Sequence, residues 1–329
     1  MVAAFTRYGR THGSTVRSTR TPGTRWARRS SPPRSALPDR RNPVAVIRPP
    51  AVRRLRPDDR RQLGPLLDRD PTLNVYLRSQ LLLEIEPADW WGVFQGAHLR
   101  GVCQGGALAV PCIPDLTLVA PVARTLVHGI RPRHVVGPRE QVLAMHQALA
   151  HELLALHIRD PQPVLALDRG GLVDGAHGAD VRRSSDADVA ALAEAAMAMH
   201  VEEVGVDPYE GDIEGWQNRM AAFVERAWSW VWMESGEVIF KTELSAWTPE
   251  VVQIQGVYTA PPHRGRGVAR AGLTAVCAQL LETVPRCTLY VNEFNVPALR
   301  LYERMGFKPV GSFATVVYAP DTDGRISRS

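Results

Sequence analysis

Lysine is nearly missing from this chain. Lys241 and Lys308 stand against 37 arginines, a bias that reads as codon usage in a GC-rich genome and excludes no chemistry. No apolar run approaches the roughly 20 residues that a membrane-spanning helix needs. Cysteine is scarce. Cys103, Cys112, Cys277 and Cys287 form no C-x-x-C pair and have no histidine cluster beside them, which argues against structural zinc and a disulfide framework. Small buried thiols in a reducing cytoplasm are the expectation, with no metal site. Acidic residues are nearly missing from the first 45 positions, which hold ten arginines and a single acid, Asp39. That segment has no apolar stretch of the kind a secretory signal needs. The formal net charge of +5 is therefore misleading, because the rest of the chain has 29 basic and 33 acidic residues, a net of −4. A nucleic-acid partner is not called for by such a body.

What is present divides along the chain. Residues 1–45, rich in Arg, Ser, Thr and Pro, cannot bury enough surface to order themselves and read as a disordered tail. Their composition also resembles a mitochondrial transit peptide, and an upstream-extended start or a nucleic-acid-binding arm are the other readings. Residues 46–168 form a first αβ unit. It has a helix capped by Asp58, a hairpin turning at Gln95-Gly96, helices in "ARTLVHGI" and "REQVLAMHQALAHELLAL", and short strands in "HVVG" and "PVLALD". The glycines of "QGGALAV" read as part of a hairpin strand. Residues 169–180 have linker composition. The second unit covers 181–320, with 321–329 as a disordered end. Its order is β-α-α-β-β-β-α-β-α-β-β, starting at a helix capped by Ser185 or Asp186 and including a hairpin across Ser235-Gly236. Strands alternating with helices around a mixed sheet indicate an α/β or α+β fold. Trp216, Trp228, Trp230 and Trp232 read as core and hairpin packing.

The most informative stretch is "YTAPPHRGRGVARAGL", in which a strand runs into glycines and a helix starts at once. Helix-terminal amides lack intrahelical partners and carry the positive end of the macrodipole, so such a turn is an anion site. Gly265 and Gly267 remove the Cβ atoms that would block a phosphate, and Arg264 and Arg266 add charge. It is not a P-loop, since G-K-[ST] is missing.

Arg264-Gly265-Arg266-Gly267-Val268-Ala269 matches the Arg/Gln-x-x-Gly-x-Gly/Ala turn of the GCN5-related N-acetyltransferases, the GNAT superfamily. "NEFNVPALRLYERMGF" resembles the later signature of that family through Asn295, Ala298, Tyr302, Gly306 and Phe307. The whole chain is similar to two-domain GNAT proteins of high-GC bacteria, whose first half is a degenerate GNAT-like domain. The resemblance implies a mixed, mostly antiparallel central sheet flanked by helices. It also implies acetyl-CoA as acyl donor and direct transfer of the acyl group to a primary amine. Val257, Tyr258 and Thr259 would hold the pantetheine arm through their backbone. The amides of Gly265, Arg266, Gly267, Val268, Ala269 and Arg270, with Arg264 beside them, would cradle the pyrophosphate. Asn295 would touch the donor, and Tyr302 would protonate the leaving thiolate.

A base is harder to find. Gln253 stands where many family members have a central-strand Glu, and an amide cannot accept the proton at neutral pH. Glu202, Glu203 and Glu210, in the loop region between the first two helices of the second unit, are acceptor-side candidates, with Glu243 on the hairpin. The implied protein is a cytoplasmic N-acetyltransferase acting on a small-molecule amine or a peptide N-terminus. A homodimer is compatible with it. The rivals are a catalytically weak acyl-CoA-binding regulator and nucleic-acid association through the tail.

Overall fold

The computed structural model describes residues 49–83, 90–129, 131–173, 179–204 and 212–320. The expected tails at 1–45 and 321–329, linker positions 174–178 and the candidate Glu210 lie outside the described residues.

The first half runs β1 (Ala51–Arg54), α1 (Arg60–Leu67), α2 (Val75–Leu82), β2 (Trp90–Gln95), β3 (His98–Gln104), β4 (Leu108–Cys112), α3 (Val119–Val127), β5 (His134–Pro138), α4 (Arg139–Leu149) and β6 (Ala155–Asp168). The second half runs β7 (Arg182–Arg183), α5 (Val189–Val204), α6 (Ile213–Glu225), β8 (Ser229–Glu234), β9 (Glu237–Trp247), β10 (Val251–Thr259), α7 (Val268–Thr283), β11 (Arg286–Tyr290), α8 (Val296–Arg304) and β12 (Lys308–Tyr318).

The two halves open in the same way. Arg53 makes a two-pronged pair with Asp59 at 2.6 and 2.9 Å, and Arg182 makes one with Asp188 at 2.7 and 2.8 Å. Each aspartate also accepts the amide three residues earlier, of Arg56 or Ser185, closing a capping box before the helix. The next arginine, Arg54 or Arg183, lies over Trp91 or Trp230 of the following strand. Asp59, not Asp58, is therefore the residue that organises the first helix start. In the second half Ser185 is the cap and Asp188 completes the box.

Among the described residues the strands form one sheet in the order β1-β2-β3-β4-β5-β12-β6-β11-β10-β9-β8-β7. Only β4–β5 and β10–β11 pair in parallel. The two long strands in the middle are exchanged between the halves. β6 pairs with β11 and β12 of the second half, while β12 pairs with β5 of the first. Two expectations change as a result. The stretch after Leu149 turns into strand from Ala155, because pairing with β12 outweighs its helical apolar spacing. The second half ends in one strand rather than two, because β6 occupies the place of the missing one.

One face of the second half's sheet packs on α7 and α8 through Trp230, Phe240, Val252, Leu273, Leu280 and Leu289. The opposite face is covered partly by α5 and α6, through Leu192, Trp216, Met220 and Tyr258. Helix α2 of the first half covers another part. Val75 packs on Ala246 and Val251, Ser79 Oγ accepts the Trp247 amide at 3.1 Å, and Arg78 pairs with Glu250 at 2.9 Å. All four cysteines are buried free thiols. No helix among the described residues is long and apolar enough to cross a membrane.

Candidate functional site

Strand β10 stays with β11 for only three residue pairs, Val251–Arg286 to Gln253–Thr288. Beyond Gln253 its β11-facing edge has no strand partner among the described residues, and the two strands open a gap. The chain then passes through a 3-10 turn (Pro261–His263) and Arg264 to Gly267 into α7. Gly265 and Gly267 have φ of 70° and 82°, the left-handed region that glycine enters without strain. A Cβ at either would meet no protein atom within 4 Å, so the turn is open toward solvent. The Ala271 amide reaches back to the Gly267 carbonyl at 2.9 Å. The amides of Val268, Ala269 and Arg270 thus precede the first intrahelical bond. Thr259 Oγ1 and Arg270 Nε beside the turn, and Thr274 Oγ1 one helical turn on, are buried atoms with no protein partner. Unpaired donors around an open helix start suit an anionic ligand with further polar atoms along it.

Several expected residues are committed elsewhere. Arg264 grips Glu202 through two bonds of 2.7 Å and donates to the Thr259 carbonyl at 2.9 Å. It therefore ties the end of α5 to the turn, and part of its charge is already matched. The same contact holds the Glu202 carboxyl below its usual range and makes it a poor base. Glu202 and Glu203 both lie in the last turn of α5, not in a loop. Glu203 is exposed, and its charge adds to the rise of the Tyr302 and Tyr290 hydroxyl pKa values, which burial mainly drives. Arg266 is exposed. The Tyr258 side chain is buried with Leu192 and Trp216, so only its backbone is available at the strand edge. Asn295 Oδ1 accepts the Ala298 amide at 3.2 Å and caps α8, which leaves Nδ2 as its donor.

Tyr302 is 6% exposed, with its ring 5.8 Å from that of Phe307. Its proton is held firmly at neutral pH. Gly306, at φ 97°, has the Gly171 carbonyl where a Cβ would stand, so the signature glycine lets the chain after β6 approach closely. Gln253 is buried and accepts from Ser245 Oγ at 2.8 Å. Glu243, 3% exposed, is bound by Lys241 and is thereby removed from direct contact with an acceptor. The sequence offered Glu243 as a candidate, but not its pairing with Lys241 or the part played by Gly256. An isolated glycine inside a strand pattern was the available signal.

The first half has the same junction with different residues. Strand β4 pairs with β5 only at Leu108 and Ala109. There Gln141 Oε1 takes the Ile113 amide at 2.7 Å, and Asp115 caps the following turn. A carboxylate thus stands where the second half has glycine and arginine. The glycines of "QGGALAV" fall at the turn between β3 and β4.

Residues 191–307 match the acetyltransferase (GNAT) family model, and residues 88–192 match a domain of unknown function, DUF4081. No curated protein matches the sequence. The fold is similar to that of a GNAT-family acetyltransferase from Colwellia psychrerythraea, at 13% identity and a TM-score of 0.53 over 82% of this chain and 100% of that one. A GCN5-related N-acetyltransferase from Sphaerobacter thermophilus is similar at 16% identity and 0.54, over 81% and 94%. A tandem GNAT protein from the clavulanic acid biosynthesis pathway is similar at 14% identity and 0.51, over 83% and 99%. The family match over residues 191–307 supports acyl transfer in general. The match to the acetyltransferase (GNAT) family thus covers residues 191–307, and over most of the chain the fold is similar to that of GNAT structures, a tandem GNAT protein among them.

Proposed function

We propose that the protein is an acetyl-CoA-dependent N-acyltransferase that passes the acyl group directly to a primary amine. The observation that carries this is the junction where β10 leaves β11 and runs into the open, amide-rich start of α7. The orphan atoms of Thr259 and Arg270 support the fit of a phosphorylated donor. Bound there, the donor supplies an activated thioester. The backbone of Val257 and Thr259 would line its arm, and the amides of Gly265 to Arg270 its pyrophosphate. Asn295 Nδ2 would approach it from the start of α8. The proton on Tyr302 is the one available for the leaving thiolate. Glu203, exposed in the last turn of α5 beside the Arg264-bound Glu202, would be the candidate to take a proton from the amine through water.

The acceptor side would be the face shared by α5 and α2. Tyr76 of α2 packs against Val75, Ala246 and Val251, and burial pushes its pKa up to about 12. The first half would thereby supply a wall of the acceptor site. Gln253 bears on which amine reacts. Deprotonating a lysine side chain of pKa about 10.4 at pH 7 costs about 4.6 kcal/mol, while an α-amine near 7.7–8.0 costs about 1 kcal/mol. A site whose central strand carries an amide favours the second. The test offers one peptide bearing a free α-amine and a lysine, then maps the acetyl group by mass spectrometry from pH 6.5 to 9. Acetylation mainly on the lysine at pH 7 would reveal a strong base and refute the preference. A weakly active acyl-CoA-binding regulator is the second reading, favoured by the same Gln253; binding without turnover against any amine would select it.

A further inference from the structure

Strand β10 contains a fault that the donor chemistry leaves unexplained. Its register with β9 goes from Gln255–Glu243 to Tyr258–Lys241, so Gly256 and Val257 together oppose the single residue Thr242. This is a bulge, and it lies just past the last β10–β11 pair. Gly256 has φ of 63°, and a Cβ there would fall on Glu243 Oε2. The bulge is held by three consecutive side chains of β9. Lys241 Nζ donates to Glu243 Oε1 at 2.9 Å, to Oε2 at 3.2 Å and to the Gly256 carbonyl at 3.3 Å. Thr242 Oγ1 donates to the Gln255 carbonyl at 2.9 Å. Both carbonyls entering the bulge are therefore bound by side chains. Lys241 and Thr242 are 0% exposed.

Stability is a weak reason for a buried ion pair here. A buried ion pair replaced by apolar groups of similar volume often leaves a protein as stable or more so. The pair sits where one strand edge changes direction at the opening of the gap. Resting on the acyl-donor reading above, we propose that Lys241, Thr242 and Glu243 are positioning residues for the acyl end of the donor. They lock the bulge that sets the backbone of Val257 at the mouth of the gap. The nucleotide end, held at the turn and α7, is independent of them.

The experiment compares two probes by calorimetry on the full chain: acetyl-CoA, and the phosphoadenosine diphosphate portion of coenzyme A. Thr242→Val removes one hydroxyl with little change of shape, and Thr242→Ser restores it. Lys241→Met with Glu243→Leu removes the charges together. The expected result is a loss of about tenfold or more in acetyl-CoA affinity for Thr242→Val and for the double variant. Affinity for the nucleotide portion should be unchanged, and Thr242→Ser should behave as wild type. Wild-type acetyl-CoA affinity in Thr242→Val, or a parallel loss of both probes, overturns the proposal. Should the double variant fail to fold, Thr242→Val decides. A wild-type protein that binds neither probe removes the acyl-donor reading, and the proposal with it.

Discussion

Replacing Gly267 tests the site most directly. The residue has φ of 82° at the cap of α7, and no protein atom lies within 4 Å of an added Cβ. An L-residue there costs about 1–2 kcal/mol of left-handed strain, with no clash to add. At about 2–4 °C per kcal/mol, Gly267→Ala and Gly267→Glu should melt roughly 2–8 °C below wild type and stay folded. The wild-type protein in acetyl-CoA at 100 times its Kd should gain about 2.7 kcal/mol, a rise of roughly 5–10 °C by the same conversion. Gly267→Glu places a carboxylate in the proposed phosphate path. Two like charges about 4 Å apart near a protein surface repel by about 4 kcal/mol, enough to remove the ligand shift altogether. Thermal melts with and without acetyl-CoA, with circular dichroism as the check on folding, read both effects. A folded Gly267→Glu protein that keeps the full wild-type shift would refute the assignment of the turn.

Tyr302→Phe keeps the buried ring and removes the proton, so kcat should fall about 10²- to 10⁴-fold with acetyl-CoA affinity nearly unchanged; wild-type turnover would take Tyr302 out of the mechanism. Asp188, whose carboxyl Arg182 holds below its unfolded value near 3.9, contributes stability that is fully present above about pH 4 and is lost as pH falls through the lower folded value. Asp188→Ala should therefore cost about 1–2 kcal/mol at pH 7 through the lost cap, and denaturant melts should show the gap to wild type closing below pH 4; a gap that is constant with pH would falsify that account. Residues 181–329 produced alone lack β6, which separates β11 from β12 in the sheet. Circular dichroism and thermal melts should show no cooperative fold for that piece, and a well-folded monomer would show that the strand exchange is dispensable.

The features legible in the sequence are those whose causes are local. Gly265 and Gly267 need a left-handed backbone wherever the chain around them goes, and the helix after them follows from its own periodicity. Ser235-Gly236 makes its hairpin from neighbouring residues alone, with φ of 51° and 86°. The duplicated helix start was also written there, as "VRRLRPDD" at 52–59 and "VRRSSDAD" at 181–188. Its meaning depends on the arginine–aspartate pairing that the fold displays. Other features needed the tertiary structure because their partners are far apart in the chain. Apolar alternation says that β6 and β12 are strands, but it does not say which neighbours each will pair with; the completed sheet decides that, with β6 between β12 and β11 and β12 between β5 and β6. Glu202 read as a candidate acid until α5 set it 2.7 Å from Arg264, 62 positions away. Glu243 read as a candidate acid on the hairpin, and Lys241 carried no role. Only the bulge at Gly256, with a carbonyl turned toward the ammonium and room for a carboxylate where a side chain would otherwise be, makes their burial possible.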